Sequence, residues 1–221
     1  MNEIWKSSEP ELLPDFIIGG AMKSGTTTLH NILNAHPRIF IPDGEVHFFD
    51  MDNVSQHSDF NFYRKKRWIT QNIEKDPNRV WNWYRDKFRG TEHLIRGEDS
   101  TTYLSSRIAA ERIAGQEKEI KLIFLLRQPS ERAFSNYLHL LRSGKATYSF
   151  EDTLLYCPGQ ILTRSLYLEQ LQEYFRWIPK ERIKIVLFED FVQRRDESLS
   201  EICQFLGVEF AQLPAEPTSD H

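Results

Sequence analysis

The chain has 221 residues, of which 40% are hydrophobic, and carries a formal charge of −4. That length suits one α/β domain over 1–221, and the acidic balance argues against a protein built mainly to bind nucleic acid. Cys157 and Cys203 stand far apart, the amino terminus carries charges and prolines in place of an apolar signal core, and no apolar run approaches the ~18 residues of a membrane span, so the expected setting is the cytoplasm.

Asp15 to Gly20, DFIIGG, reads as a short buried strand, and TTTLHNILNAH beyond it as a helix stopped at His36-Pro37. The stretch 51–89 is rich in aromatic residues, with Trp68, Trp81, Trp83, Phe60, Phe62, Tyr63, Tyr84 and Phe88 around a basic run from Arg64 to Arg67. It is too long for an ordinary connection. It reads as an amphipathic helical cover with its basic side chains toward water, or alternatively as a flap over an acceptor site.

Ile120 to Arg127, IKLIFLLR, is the most apolar strand candidate and is expected at the sheet centre. Pro129 opens a helix whose Phe134, Tyr137, Leu138 and Leu141 share one face, with Gly144 near its end. Leu168, Leu171, Phe175 and Ile178 stripe the next helix, Pro179 breaks it, and RIKIVLFEDF supplies a further strand. Leu199, Ile202, Cys203 and Leu206 stripe a last helix closed by Gly207. Strands alternating with helices predict a mainly parallel sheet flanked by helices on both faces.

The most informative stretch is GGAMKSGTTTL, from Gly19 to Leu29. A strand ending in glycines and turning into a helix aims backbone N–H groups and the positive helix end at one point, which binds an anion. Lys23 adds a charge, and Ser24, Thr26, Thr27 and Thr28 add hydroxyl donors. The order differs from the familiar nucleotide loop, where lysine follows the second glycine; here Thr26 follows Gly25 and the lysine comes two places earlier. A magnesium-dependent nucleotide hydrolase would also want an aspartate at the end of a buried strand. The best strand ends instead in Arg127, suited to bidentate phosphate binding, with Ser135 two turns into the next helix. Taken singly, Arg127 reads as structural and Ser135 as a surface residue; together with the loop they favour a ligand with two separated anionic ends.

These segments carry a family resemblance. IIGGAMKSGTTTL resembles the 5′-phosphosulfate loop, and LLRQPSERAFSNY the 3′-phosphate motif, of sulfotransferases that use 3′-phosphoadenosine 5′-phosphosulfate. GEVHFFD, Gly44 to Asp50, is similar to the segment bearing the catalytic glutamate in the heparan sulfate glucosaminyl 3-O- and N-sulfotransferase branch. The resemblance spans Asp15 to Val208 and implies a P-loop-type three-layer α/β fold. It implies that Lys23, Ser24, Gly25, Thr26, Thr27 and Thr28 cradle the 5′-phosphosulfate and that Arg127 and Ser135 hold the 3′-phosphate. Arg164 and Tyr167, in TRSLYLEQL, match a helix start near the donor. Glu45 is implied as the general base, with His47 beside it.

The chemistry assigns roles. Sulfuryl transfer by in-line displacement needs a base for the acceptor's proton and a cation at the departing oxygen, which Lys23 supplies. A carboxylate raised in pKa by partial burial makes Glu45 the base, and His47 is the competing base. Without the resemblance, Glu45 and His47 read first as a solvated loop beside a packed Phe48-Phe49 pair; an extended segment would put Glu45, His47 and Phe49 on one side. The remaining histidines, His30, His36, His57, His93 and His139, lack metal spacing, so no metal is expected.

Two departures from the family pattern stand out. GEDSTTYL carries Asp99 where the glucosaminyl branch often has lysine, which argues against a heparan-like substrate. The chain also stops at His221, soon after CQFLGVEF, without the usual basic loop over the nucleotide; a truncated chain or a more open donor site is expected. The acceptor is expected to be a sugar hydroxyl, another small molecule or an amine, and the product adenosine 3′,5′-bisphosphate. A metal-dependent phosphotransferase or nucleoside triphosphatase and a non-catalytic nucleotide-binding relative are the rival readings.

Overall fold

The computed structural model describes residues 3–52, 62–64, 66–69 and 73–214. Phe16–Gly20 forms β1, buried along its whole length, as expected of an apolar, β-branched run with no polar side chain to satisfy. Around it lie Ile39–Phe40 (β2), Ile95–Asp99 (β5), Lys121–Leu126 (β6) and Ile183–Leu187 (β7), in the order β2-β5-β1-β6-β7. Every pairing in this sheet is parallel. β6 is an interior strand, as its composition predicts, but the middle position belongs to β1.

Alternation along these strands divides the core. Ile17, Leu122 and Phe124 face one apolar layer with Phe48, Tyr84 and Tyr174. Phe16, Ile18, Ile123 and Leu125 face the other, with Leu29, Ile202 and Leu206. Thr26–Asn34 (α1) follows β1 directly, and Arg195–Leu206 (α9) ends at Gly207 in the left-handed conformation, φ 80°, with the predicted stripe of Leu199, Ile202, Cys203 and Leu206 buried.

Three elements differ from the sequence reading. In Pro129–Arg142 (α4) the buried residues are Arg132, Ala133 and Asn136, while Phe134 and Leu141 of the predicted stripe are 45% and 48% exposed. Phe150, on Phe150–Tyr156 (α5), packs on Phe134 and Tyr137 from outside, so that stripe joins helix to helix and not helix to sheet. In Tyr167–Trp177 (α7) the inward face carries Tyr174, with Tyr167 and Leu171 against the core and Ile178 just beyond, while Leu168 and Phe175 point outward. The strand in RIKIVLFEDF stops at Leu187, and Phe188–Gln193 turns into a helix (α8).

The 51–89 stretch divides. Pro77–Arg85 (α2) is helical, with Trp81, Tyr84 and nearby Phe88 in the core and Trp83 47% exposed. Asp76 caps it, accepting from the Arg79 N–H at 3.1 Å. Phe62–Arg64 (β3) and Arg67–Ile69 (β4) form an antiparallel hairpin, which departs from the helical of the two readings of this stretch, with positive φ at Lys66 between them; Phe60 lies outside the described residues. Arg107–Ala114 (α3) and Pro158–Ile161 (α6) complete the helices used below. Among the described residues no helix is long and apolar enough to cross a membrane.

Candidate active site

The carboxyl end of β1 runs through Ala21–Gly25 into α1. Gly25 adopts φ 84°, and a Cβ there would come within 2.9 Å of the Phe188 ring, so glycine meets both the backbone and the packing demand. No side chain caps α1, leaving its first N–H groups without intrahelical partners. Ser24 is fully buried, with the Tyr167 hydroxyl as the polar neighbour of its Oγ. Lys23 holds φ 70°, a costly conformation for a residue with a side chain, and its ammonium has no ion pair among the described residues. Thr26 is buried at the first turn, whereas Thr27 and Thr28 are exposed.

Arg127 leaves β6 beside this loop. Its Nη1 lies 3.5 Å from the Lys23 carbonyl oxygen and its Nη2 3.4 Å from Glu131, both at the long limit of a hydrogen bond. The guanidinium also rests over the Phe188 ring at 5.0 Å. Arg164 is buried and donates to Met22 Sδ at 3.4 Å, and the Tyr167 hydroxyl, beside Ser24, donates to the Arg127 carbonyl oxygen at 3.0 Å. The fold thus gathers Lys23, Ser24, Arg127, Arg164 and Tyr167 at one place. Ser135 sits half-buried on α4, and no side-chain bond ties it to the others.

Glu45 and His47 also meet. His47 Nε2 is 2.9 Å from Glu45 Oε2, and the Thr101 hydroxyl donates to both Glu45 oxygens, at 3.0 and 2.9 Å. Extended backbone does not explain the pairing, because His47 has φ 53° and Phe49 turns into the core with Phe48. The Ser100 hydroxyl accepts the His47 N–H at 2.8 Å, fixing that strained residue. Thr102 donates to Asp50 at 2.8 Å, so its oxygen accepts from His47 Nδ1, 3.0 Å away. With Nδ1 donating to Thr102, Nε2 must carry a second proton to donate to the Glu45 carboxylate, so the imidazolium is the form that satisfies both contacts. Both ring nitrogens are engaged, and the side chain is 14% exposed against 37% for Glu45.

The electrostatics reverse one expectation. Burial pushes the Glu45 carboxyl up, but the hydrogen bond and charge of His47, with the Thr101 donors, outweigh it and hold the group below its ordinary value. Burial pushes His47 down, and Glu45 more than restores it, leaving the imidazole above its ordinary value. The net shift of Glu45 is therefore downward, where the sequence analysis expected burial to raise it. A depressed carboxyl stabilises the fold above its unfolded value, and a raised histidine does so below its own. The pair's contribution is therefore fullest between the ordinary values, 4.5 for Glu45 and 6.5 for His47. Comparing the Tm of wild type and His47→Gln across pH should give the widest gap in that window, narrowing on either side.

Several residues to which the sequence analysis gave no place in the site support this arrangement. Glu98, completely buried, accepts from Ser100 Oγ at 2.7 Å, from the Tyr103 hydroxyl at 2.5 Å and from the Tyr84 hydroxyl. Burial raises its carboxyl, against those three donors. Asp99 lies buried with Oδ2 3.4 Å from His30 Nδ1, and burial again raises it, with Glu45 adding to the rise. His139, on α4, is pushed down first by burial and then by Lys23, with Glu45 opposing, so it stands within electrostatic reach of both. A pair of acids followed by four hydroxyl residues, EDSTTY, is the signal from which this network could have been found; in the sequence analysis it served only for the departure at Asp99.

Comparison with known proteins bears on this geometry. A sequence model described as "Sulfotransferase family" matches residues 14–212. Heparan sulfate glucosamine 3-O-sulfotransferase 5 of Mus musculus is 30% identical over 187 residues, covering 79% of this chain and 47% of its own length. The bifunctional heparan sulfate N-deacetylase/N-sulfotransferase 2 of Homo sapiens is 26% identical over 231 residues, 93% of this chain and 23% of that one. The chain thus spans about half the length of the first relative (47%). The crystal structure of a sulfotransferase from Alicyclobacillus acidocaldarius superposes with a TM-score of 0.73 at 27% identity, covering 95% of this chain and 86% of that one. A family match running from the strand before the lysine loop to beyond α9, on a parallel sheet that brings that loop to Arg127, leaves one assignment: the chain belongs to the sulfotransferase family.

Proposed function

We propose that the protein transfers a sulfuryl group from 3′-phosphoadenosine 5′-phosphosulfate to a hydroxyl or amine of a carbohydrate or glycoconjugate, within one sulfotransferase domain. Thr101 carries the reading. Its carbonyl oxygen lies 2.8 Å from where a Gly20 Cβ would stand, and its hydroxyl donates to Glu45. The anion loop and the carboxylate are thereby built against the same residue, which sets a gripped anion and a proton acceptor side by side.

The residues present fit the donor. The buried Ser24 hydroxyl, the Lys23 ammonium, which has no ion pair among the described residues, and the uncapped α1 amides, with Gly25, Thr26, Thr27 and Thr28, suit a phosphosulfate. Arg127 and Ser135 would hold the 3′-phosphate, with Arg164 and Tyr167 bordering the loop. The donor, when bound, supplies the activated sulfuryl group. Glu45 takes the acceptor's proton, since His47 has no nitrogen left to offer and instead orients the carboxylate. Lys23 meets charge developing on the departing oxygen.

The relatives named for heparan sulfate support a sugar acceptor. Asp99, buried beside Glu45, adds negative charge there and disfavours a polyanionic chain, which supports an uncharged glycan or small acceptor. The free thiols of Cys157 and Cys203 suit a reducing, cytoplasmic setting. Thermal unfolding tests the donor: adenosine 3′,5′-bisphosphate at about 100 times its Kd should add about 2.7 kcal/mol of stability, and ATP with Mg²⁺ much less. A larger shift with ATP would overturn the assignment in favour of a phosphotransferase.

A further inference from the structure

Arg132, on α4, is completely buried. Its Nε donates to Ser165 Oγ at 2.6 Å and its Nη2 donates to the Ile161 carbonyl oxygen, while Nη1 has no partner. No carboxylate pairs with it among the described residues. Burial pushes its pKa down to about 10, with Tyr167 opposing and Arg164 adding to the fall, so the side chain stays charged at neutral pH. A sealed cation without a counter-ion is strongly unfavourable.

Hydrogen bonding alone does not account for it. The Ser165 hydroxyl lies 3.2 Å from the Ile161 oxygen, so these two groups would satisfy one another if the guanidinium were absent. The location is more telling. Ser165 follows Arg164, which reaches Met22 of the loop, and Tyr167 bonds the Arg127 carbonyl oxygen beside that loop. Arg132 thus stands behind the segment that carries Arg164 and Tyr167 to the loop, within electrostatic reach of both and too deep to touch a ligand.

We infer that Arg132 is an electrostatic positioning residue of the donor site, whose uncompensated charge is neutralised only when the anionic nucleotide binds. The empty protein carries an unfavourable buried charge that the ligand relieves, coupling occupancy to stability. This rests on the donor reading above and adds a cation that the sequence analysis left without a role, although it lies inside LLRQPSERAFSNY.

The test is titration of adenosine 3′,5′-bisphosphate by calorimetry, with ligand-free Tm, for wild type, R132M, R132Q and R132K. The neutral variants should melt no lower than wild type without ligand. Their nucleotide affinity should be about tenfold weaker, the scale of one charge acting through protein of effective dielectric constant ~20. R132K, which keeps the charge, should stay near wild-type affinity. Unchanged affinity in the neutral variants, R132K as weak as R132M, or neutral variants that do not fold would each overturn the inference. Wild type that fails to bind the nucleotide at all overturns the donor reading instead.

Discussion

Glu45→Gln should reduce sulfuryl transfer by on the order of 10²–10⁴-fold, the usual share of a general base, while adenosine 3′,5′-bisphosphate still binds. The amide keeps the shape and remains within reach of Thr101 and His47, so the change removes basicity with little loss of structure. His47→Asn should cost less, because it removes only the group that orients the carboxylate. A larger loss in His47→Asn than in Glu45→Gln would make the imidazole the base. Running both assays in excess chelator addresses the rival chemistry, since a magnesium-dependent phosphotransferase would fall silent there. Nucleotide binding by a wild type that turns over no acceptor would instead favour the non-catalytic relative.

How far this site could be read in the sequence depended on whether burial followed hydrophobicity. β1, β6 and α9 were legible because each is apolar and sits where apolar residues belong. The loop was legible because glycines at fixed offsets report backbone demands, and Gly25 meets one in its φ of 84°. β5 was not, since IRGED is polar; its Glu98 is satisfied in the interior by the hydroxyls of Ser100 and Tyr103 just beyond the strand and of Tyr84 from α2, a set that hydrophobicity does not reveal. α4 misled for the same reason in reverse. Its apolar stripe meets α5, and its buried side holds Arg132 and Asn136, with Arg132 turned to Ile161 and Ser165. The pairing of Glu45 with His47 was legible as neighbourhood but not as electrostatics, because the sign of the Glu45 shift depends on an imidazole whose other nitrogen is fixed by Thr102.

Lys23→Met should lower kcat by about 10²–10³-fold, the scale of removing one preorganised donor from a developing negative charge. The affinity for adenosine 3′,5′-bisphosphate should fall much less. The distinction follows from where the charge sits. Lys23 holds a left-handed backbone conformation at the loop's turn, and its ammonium has no competing carboxylate among the described residues, so it is poised for charge that appears only as the sulfuryl bond breaks. Arg127 is held instead by long contacts to Glu131 and the Lys23 carbonyl and by the Phe188 ring, an arrangement that can tighten on a ground-state phosphate. Arg127→Met should therefore raise the donor KM with a smaller change in kcat, the opposite split. Measured side by side with one acceptor, the two variants separate binding from chemistry. Equal effects on kcat and KM in both would mean that loop and strand end act as one undifferentiated anion site, and the role given to Lys23 would fail.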